Sequence, residues 1–595
     1  MVEKNKHKRG VKAQIFLQLA ILGAALIIVN LLASQYYKRF DLTKEKRFTL
    51  STSTEELVKN LNTNLTFNVY LDGELNPKFK QLKYSLRDLL QEISSISKGQ
   101  IQYTFIDPFD GKSSKEQQDI IKQLESKGLI PHYDQEEDAS QSQIRRLFPG
   151  AEVLDGSGNS YILNFLTTEL GRAEETAINK SIENLEYELA NVIRKAGAGG
   201  KNRKIGFLQG HGELSSKATA DIRKELETYY TVRDVAFNLS KKETILPFQA
   251  KLERSAEPEK AIFKELLNHL NGFKGLIMAK PTQPFSKAEA YILDQYIMNG
   301  GKLLFLIDPV FAEYDTLAKY EKMLATNYEL GELQNMLYLY GVRMNSNMLT
   351  DLNCHYLVFQ SPNGLLRQFP WIYYPVFIDK REQSNPISKN IEGVWGRFAS
   401  TLKPLTRDHL KHTVLLESSE NTRISNSPLM LDLGIITQTS NPNFIKSFTA
   451  GKHISGLLSE GSFTSIFKDR NTAVFTGIDY KDHIDQNAMI IIADGDLIKN
   501  QVQKDGEGYF ELGLDLATKK KFGNKMFLLN CIDYLCDGSG LIEIRNKEYQ
   551  LRLLNQNKIK ASKKKWQFIN IAVPIILVIL FGLINAVVRK RKYAK

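Results

Sequence analysis

The sequence predicts a mixed α/β body held to a membrane by an apolar helix at each end. Three observations predict it: an uncharged apolar run near each terminus, strand–helix–strand alternation between them, and positive charge gathered on the flanks of those runs. The chain has 595 residues, 42% hydrophobic and 25% charged, which excludes wholesale disorder and allows roughly three to five domains. Three cysteines in this length exclude a disulfide-stapled scaffold and any Cys-rich metal or iron–sulfur module.

The net charge of +12 would suit nucleic acid if it covered the body. It does not. The segments 1–14, 38–47, 558–565 and 589–595 together carry +17, which leaves the body between residues 48 and 557 at −5. A mildly acidic body lacks the basic footprint that a phosphate backbone requires, so nucleic acid is excluded and the flanking charge is assigned to membrane lipids.

After a basic tail over 1–14, the first run covers 15–33, from Ile15 to Ala33, long enough at 1.5 Å per residue for a hydrocarbon core of roughly 30 Å. A cleaved signal would end in small residues, and Leu31-Leu32-Ala33 places leucine where one is needed, so an uncleaved anchor is expected. The second run covers 569–588, from Ile569 to Val588, with Trp566 at its entry, Pro574 near its start and Tyr593 beyond it. Both short tails, 1–14 and 589–595, are rich in Lys and Arg, which predicts cytoplasmic termini and a body on the other side of the membrane.

The body opens with an α/β domain over 48–196. Leu65, Phe67 and Val69 alternate as in a strand. Pro77 opens a helix with Phe79, Leu82, Leu86, Leu89, Ile93 and Ile96 at helical spacing, and Ile101–Ile106 reads as a second strand. That order is a parallel βαβ unit of thioredoxin-like character, and without Cys-x-x-Cys it excludes redox chemistry. Residues 110–150 are polar and read as a loop or peripheral helices. A helix over 174–195 runs into a Gly-rich linker, 197–202. With Lys195 where a Walker glycine would stand and Asn202 in place of Ser/Thr, this linker is no ATP site.

A second α/β domain follows, with a first part over 203–354, a β-rich insertion or lateral extension over 355–470, and a return over 471–540. Apolar strands at Lys204–Leu208, Gly275–Ala279, Lys302–Ile307 and Ala488–Ala493 alternate with helices, as in a doubly wound, flavodoxin-like parallel sheet. A juxtamembrane connector, 541–568, leads to the second anchor and is short and charged enough to couple body to membrane with little slack.

Candidate chemistry is sparse. His211 and Glu213, in Gly210-His211-Gly212-Glu213, sit where α/β folds place ligands. They could serve as acid/base and orienter, or simply form a tight strand-to-helix turn with Glu213 near the helix N-terminus, the reading favoured here. Asp494 and Asp496 could ligate a divalent cation, or form an ordinary D-G-D turn with no third acid nearby in sequence. His409 and His412 have metal spacing only on a helix, yet His412 leads into a strand. Cys531 and Cys536 point to different faces of a helix. No catalytic residue, cofactor site or metal site is assigned. A membrane-tethered hydrolase or transferase using His211 and Glu213, and a plain tethered scaffold, are the alternatives.

Four segments carry a resemblance: Lys204–Glu213 (KIGFLQGHGE), Leu293–Pro309 (LDQYIMNGGKLLFLIDP), Ile454–Arg470 (ISGLLSEGSFTSIFKDR) and Asn524–Arg552. With NVYLDGELNPKFKQL in the first domain and the two-anchor layout, the chain resembles the GldG family of gliding-motility-associated ABC transporter auxiliary (substrate-binding-like) proteins. The resemblance implies a non-catalytic inner-membrane subunit beside a GldF-like permease and a GldA-like ATPase. Its periplasmic body would have a glutamine-amidotransferase-like central domain and would bind cargo, envelope polymer or motility machinery. Catalytic relatives of that fold carry a cysteine after a strand; the matching turn here, Lys280-Pro281-Thr282-Gln283-Pro284, has none.

Overall fold

The computed structural model describes residues 21–25, 27–28, 49–138, 141–166, 174–197, 203–360, 365–378, 385–389, 391, 393–407, 409–470, 478–503, 506, 508–537, 540 and 556–593. The tail 1–14, most of the expected first anchor and of the Gly-rich linker, and the connector over 541–555 lie outside the described residues. Within the first apolar run, residues 21–25 and 27–28 are helical.

The N-terminal part builds α1 (Thr52–Lys59), β1 (Leu65–Val69), α2 (Pro77–Ile96), β2 (Ile101–Phe105), α3 (Ser114–Ser126), a hairpin β3 (His132–Asp138) and β4 (Gln141–Leu147), then β5 (Gly150–Asp155), β6 (Ser160–Asn164) and α4 (Glu174–Gly197). Strands β2-β1-β5-β6 form one sheet in that order, with β1 and β2 parallel and β5 antiparallel to β1. Asn76 starts α2 by accepting from the N–H groups of Lys78 and Phe79, with Pro77 at the first turn where a missing N–H costs nothing. The helix buries Phe79, Leu82, Leu86, Leu90 and Ile93 against the sheet. Leu90, four residues after Leu86, is fully buried, and the expected Leu89 and Ile96 are partly buried against the same core. The polar stretch 110–150 holds α3 and the β3–β4 hairpin, and its end starts β5; its polarity marks elements with one wet face.

The central part begins with β7 (Lys204–Gln209), α5 (Ala220–Leu226), β8 (Thr231–Ala236), α6 (Pro258–Asn271), β9 (Gly275–Ala279), α7 (Lys287–Met298) and β10 (Lys302–Leu306). It continues with β11 (Val342–Met344), β12 (Leu402–Pro404), β13 (Leu410–Glu417), β14 (Ile454–Thr464), β15 (His483–Ile492) and α8 (Asn524–Cys536). Among the described residues nine strands form one sheet in the order β11-β12-β14-β15-β10-β9-β7-β8, with β13 also pairing with β14. Strands β8, β7, β9, β10 and β15 are parallel, and β14 joins β15 antiparallel. The doubly wound half is therefore extended by antiparallel strands from the 355–470 stretch. Within that stretch Leu366–Phe377 forms a small sheet with Cys354–Gln360 and Val394–Trp395 around Trp371, while Thr422–Asn426 and Leu429–Asp432 pair with the earlier strands Asn347–Asp351 and Lys322–Asn327.

Both faces of the parallel half are buried. Leu303 and Phe305 enter one core and Leu304 and Leu306 the other, which is why these strands read as continuous apolar runs. Helix α8 is buried nearly all round, so Cys531 and Cys536 both enter the core although they sit on different faces. The C-terminal helix α9 (Gln556–Tyr593) forms a second compact unit. Its stretch Lys565–Arg591 is long and apolar enough to cross a membrane. The second half of the connector is thus already helix, continuous with the span.

Arg194 ties the two sheets together. From α4 its guanidinium reaches Asp533 at 3.0 Å and Asp537 at 2.7 Å at the end of α8, and it covers the Tyr229 ring at 4.4 Å. Arg203 also reaches Asp537, at 2.7 Å. Arg194→Met leaves Asp533 half-buried without its cation, so we expect a loss of about 3 kcal/mol, at the low end for a broken buried pair because Arg203 remains. Denaturant unfolding checks it, and adding Asp533→Asn should recover part of the loss.

Candidate functional site

In an open α/β sheet the ligand crevice lies beyond the carboxyl ends of the strands, where the strand order reverses. Here the order reverses between β7 and β9, because the chain winds from β7 out to β8 and then from β9 through β10 to β15. The candidate residues His211 and Glu213 follow β7, and Asp494 and Asp496 follow β15. The structure adds Lys280 after β9 and Asp308 after β10, which makes two polar clusters along one sheet edge.

The first cluster closes the crevice. His211 is fully buried, stacked face to face on Phe285 with ring centroids 3.7 Å apart. Its Nε2 lies 3.3 Å from Glu289 and its Nδ1 3.8 Å from Glu213. Glu213 folds back so that one oxygen accepts the N–H groups of Gly210 and His211, at 2.9 and 2.7 Å. Glu289 caps α7 through Ser286 and accepts the Leu239 N–H. Burial alone would lower the His211 pKa, but the two carboxylates outweigh it and raise the value above the usual imidazole range.

The β7 turn is knit directly to the β9 turn. The carbonyl of His211 accepts from Thr282 and Gln283 N–H, at 2.8 and 2.9 Å, and Leu214 N–H donates to Ala279. Gly212, at φ +77°, is needed for this closure, since a Cβ there would lie 2.1 Å from Thr282 Oγ1. The glycines of this motif serve the approach of one protein loop to another, and a ligand finds no opening between them. Glu213 caps its own turn, where the sequence placed it near a helix N-terminus.

The second cluster is an internal ion pair network. Lys280 follows β9, and its backbone has a left-handed φ of +56°. Its ammonium is buried, 2.6 Å from Asp496 and 3.3 Å from Asp308, with Glu313 3.8 Å away on the outer side. Asp308 accepts the N–H of Gly495, and Asp494 accepts those of Arg397 and Asp496, at 2.6 and 3.0 Å. Gly495 leaves room for the lysine, because a Cβ there would meet Lys280 Cβ at 2.8 Å.

Burial pushes the Lys280 amine down, but Asp308 and Asp496 more than restore it and keep it charged. Burial raises Asp308 to about 6 despite Lys280. Burial and the neighbouring carboxylates raise Asp494 well above the usual range. Asp496, although buried, is lowered by Lys280. The third acid that D-G-D lacks in sequence is supplied in space by Asp308, yet a lysine fills the centre. Among the described residues no group of three His, Cys, Asp or Glu is placed to hold a metal. His412, on β13, is held by Ser459 and the Leu405 carbonyl. The His211 ring and the Lys280 ammonium are thus each buried against two carboxylates of the protein itself.

A family model described as "ABC-type uncharacterized transport system" matches residues 202–531, more than half of the chain. Another, described as a domain of unknown function, matches residues 44–154. An uncharacterized protein of Borreliella burgdorferi is 22% identical over 564 residues, covering 93% of this chain and 94% of that protein. A solved chain described as "mmIFT52 N-terminal domain" aligns at 12% identity over 56% of this chain and 98% of its own, with a TM-score of 0.29, on which no argument rests.

Lys280→Met strips two buried carboxylates of their cation and should cost about 3–5 kcal/mol at pH 7. The loss should shrink at pH 5, where the carboxyl groups can take up protons. Asp308 by itself works in one direction. With a folded value near 6 against an ordinary 3.8, its contribution is full below 3.8 and is lost as the pH rises through about 6. The stability of wild type relative to Asp308→Asn should therefore fall between pH 4 and pH 7. Urea unfolding across that range reads both effects, and a pH-independent loss for Lys280→Met would contradict the charge argument.

Proposed function

Because the chain belongs to the ABC-type uncharacterized transport system family, we propose that it is a non-catalytic, membrane-anchored accessory subunit of an ABC transporter. One observation carries the non-catalytic part. At the strand-order reversal, where this class of fold holds ligands and reacting groups, the β7 and β9 turns are hydrogen-bonded to each other and His211 is fully buried between two carboxylates. Beside it Lys280 is already paired with Asp308 and Asp496.

Helix α9, apolar over Lys565–Arg591, anchors the chain. The uncharged run over 15–33 serves as a second anchor, both termini lie in the cytoplasm, and the body between them lies in the periplasm. The segments quoted above support a place among gliding-motility auxiliary subunits, beside a GldF-like permease and a GldA-like ATPase, with the body engaging cargo or envelope components. The α/β parts over 48–196 and 203–540 then act as recognition bodies.

Purification of the tagged chain from native membranes should bring down a polytopic permease and an ABC ATPase. Absence of both at full yield overturns the accessory role. A reporter active only outside the cytoplasm, inserted near Gly199, should be active. The paired substitution His211→Gln and Glu213→Gln should reduce transport or motility only in proportion to the folded protein remaining. Complete loss with folding and complex intact would restore an enzymatic reading.

A further inference from the structure

The N-terminal sheet has a crest of its own, and unlike the central one it is open. Beyond the carboxyl ends of the parallel strands β1 and β2 lies a cleft of about 620 Å³, the size of a small-ligand site. Its walls come from the segment after β1 (Tyr70, Asp72), the segment after β2 (Asp107, Phe109), the start of α3, and the β3–β4 hairpin with Phe148 just after it. Four elements converge on it, so the residues are placed by the fold and not by one mobile loop.

The chemistry is mixed in a particular way. Phe148 lies buried beside Phe109, ring centroids 6.2 Å apart, and Tyr133 stands half-exposed on the hairpin, so aromatic rings contribute to the lining. Between them stand the carboxylates of Asp72 and Asp107, the amide of Gln118 and the guanidinium of Arg146. The cation positions are already taken. Arg146 covers the Tyr133 ring at 5.0 Å, and Lys83 pairs with Asp72. Asp107 spends one oxygen on the Phe109 N–H, at 2.9 Å. Among the described residues the buried Nε–H of Arg146 has no hydrogen-bond acceptor.

A ligand that suits this cleft presents hydroxyl groups that both donate and accept, together with a flat apolar face for the rings. A second cation would compete with Arg146 for Tyr133, and an anion would meet the carboxylates. We propose that the cleft of the N-terminal sheet binds a short neutral saccharide, stacked against Tyr133 and Phe109 and hydrogen-bonded by Asp107, Gln118 and Arg146. The inference rests on the reading above only in placing the body where envelope glycans occur; binding itself needs no permease.

The test is calorimetric titration of the full-length chain in detergent with three probes: maltose, cellobiose and N,N′-diacetylchitobiose. At least one should bind with a Kd between about 10 μM and 1 mM. Tyr133→Ala and Gln118→Ala, at exposed positions where folding is safe, should each weaken that Kd at least tenfold, as should the isosteric Asp107→Asn. Circular dichroism should remain unchanged throughout. No binding of any probe, or binding that the three variants leave unchanged, overturns the proposal. So does tight binding of trilysine with none of any sugar, which would make the cleft a site for cationic peptides. A saccharide result stands whether or not a permease co-purifies, so the two readings fail separately.

Discussion

Much of the central sheet's functional edge depends on one buried ammonium. Three parallel strands end side by side in Lys280, Asp308 and Asp494-Gly495-Asp496, and without the lysine two of these acids would face each other across a dry interface. The lysine's charge lets β9, β10 and β15 end together, its left-handed backbone aims the side chain inward, and Gly495 gives way for it. Buried pairs of this kind contribute little net stability, since desolvation consumes most of the attraction. What they supply is geometry. The hydrogen bonds that Asp494 and Asp308 accept from Arg397 and Gly495 order the turns next to the strand ends.

Much of the architecture was legible in the sequence. The apolar runs at β7, β9, β10 and β15 could only be strands covered on both sides, and Gly300-Gly301 together with Ser286 bounded α7. What could not be read was the partnership of strands. Nothing local says that Ile454–Thr464 pairs antiparallel with β15, because register and neighbour choice are settled by long-range packing. The same limit explains why Leu90 is buried more deeply than Leu89, where both positions are apolar and only the facing sheet decides between them.

The candidate site shows this dependence more sharply. His211, Glu213, Asp494 and Asp496 stood out because glycines punctuated them, and they do lie along one sheet edge. Their partners Glu289, Lys280 and Asp308 carried a weaker signal, a charged residue within the first turn of a helix or just after an apolar strand. Such residues become meaningful only once strand order sets them side by side. The motif reading favoured a turn over an acid/base pair, and the hydrogen bonds of Glu213 to its own turn supply the physical reason.

Helix α9 runs unbroken from Gln556 to Tyr593, with Pro574 inside it. At 1.5 Å per residue the nine residues before Lys565 form an arm of about 13 Å continuous with the apolar span. A spanning helix tilts by about 20° on average, which displaces the far end of such an arm by about 5 Å relative to an upright helix. Across a bilayer, a small rotation of such a helix would be read out as a sideways step at Gln556. Whatever set its tilt there, lipid thickness or a neighbouring subunit, would act at a distance from the bilayer through a lever whose length the sequence sets.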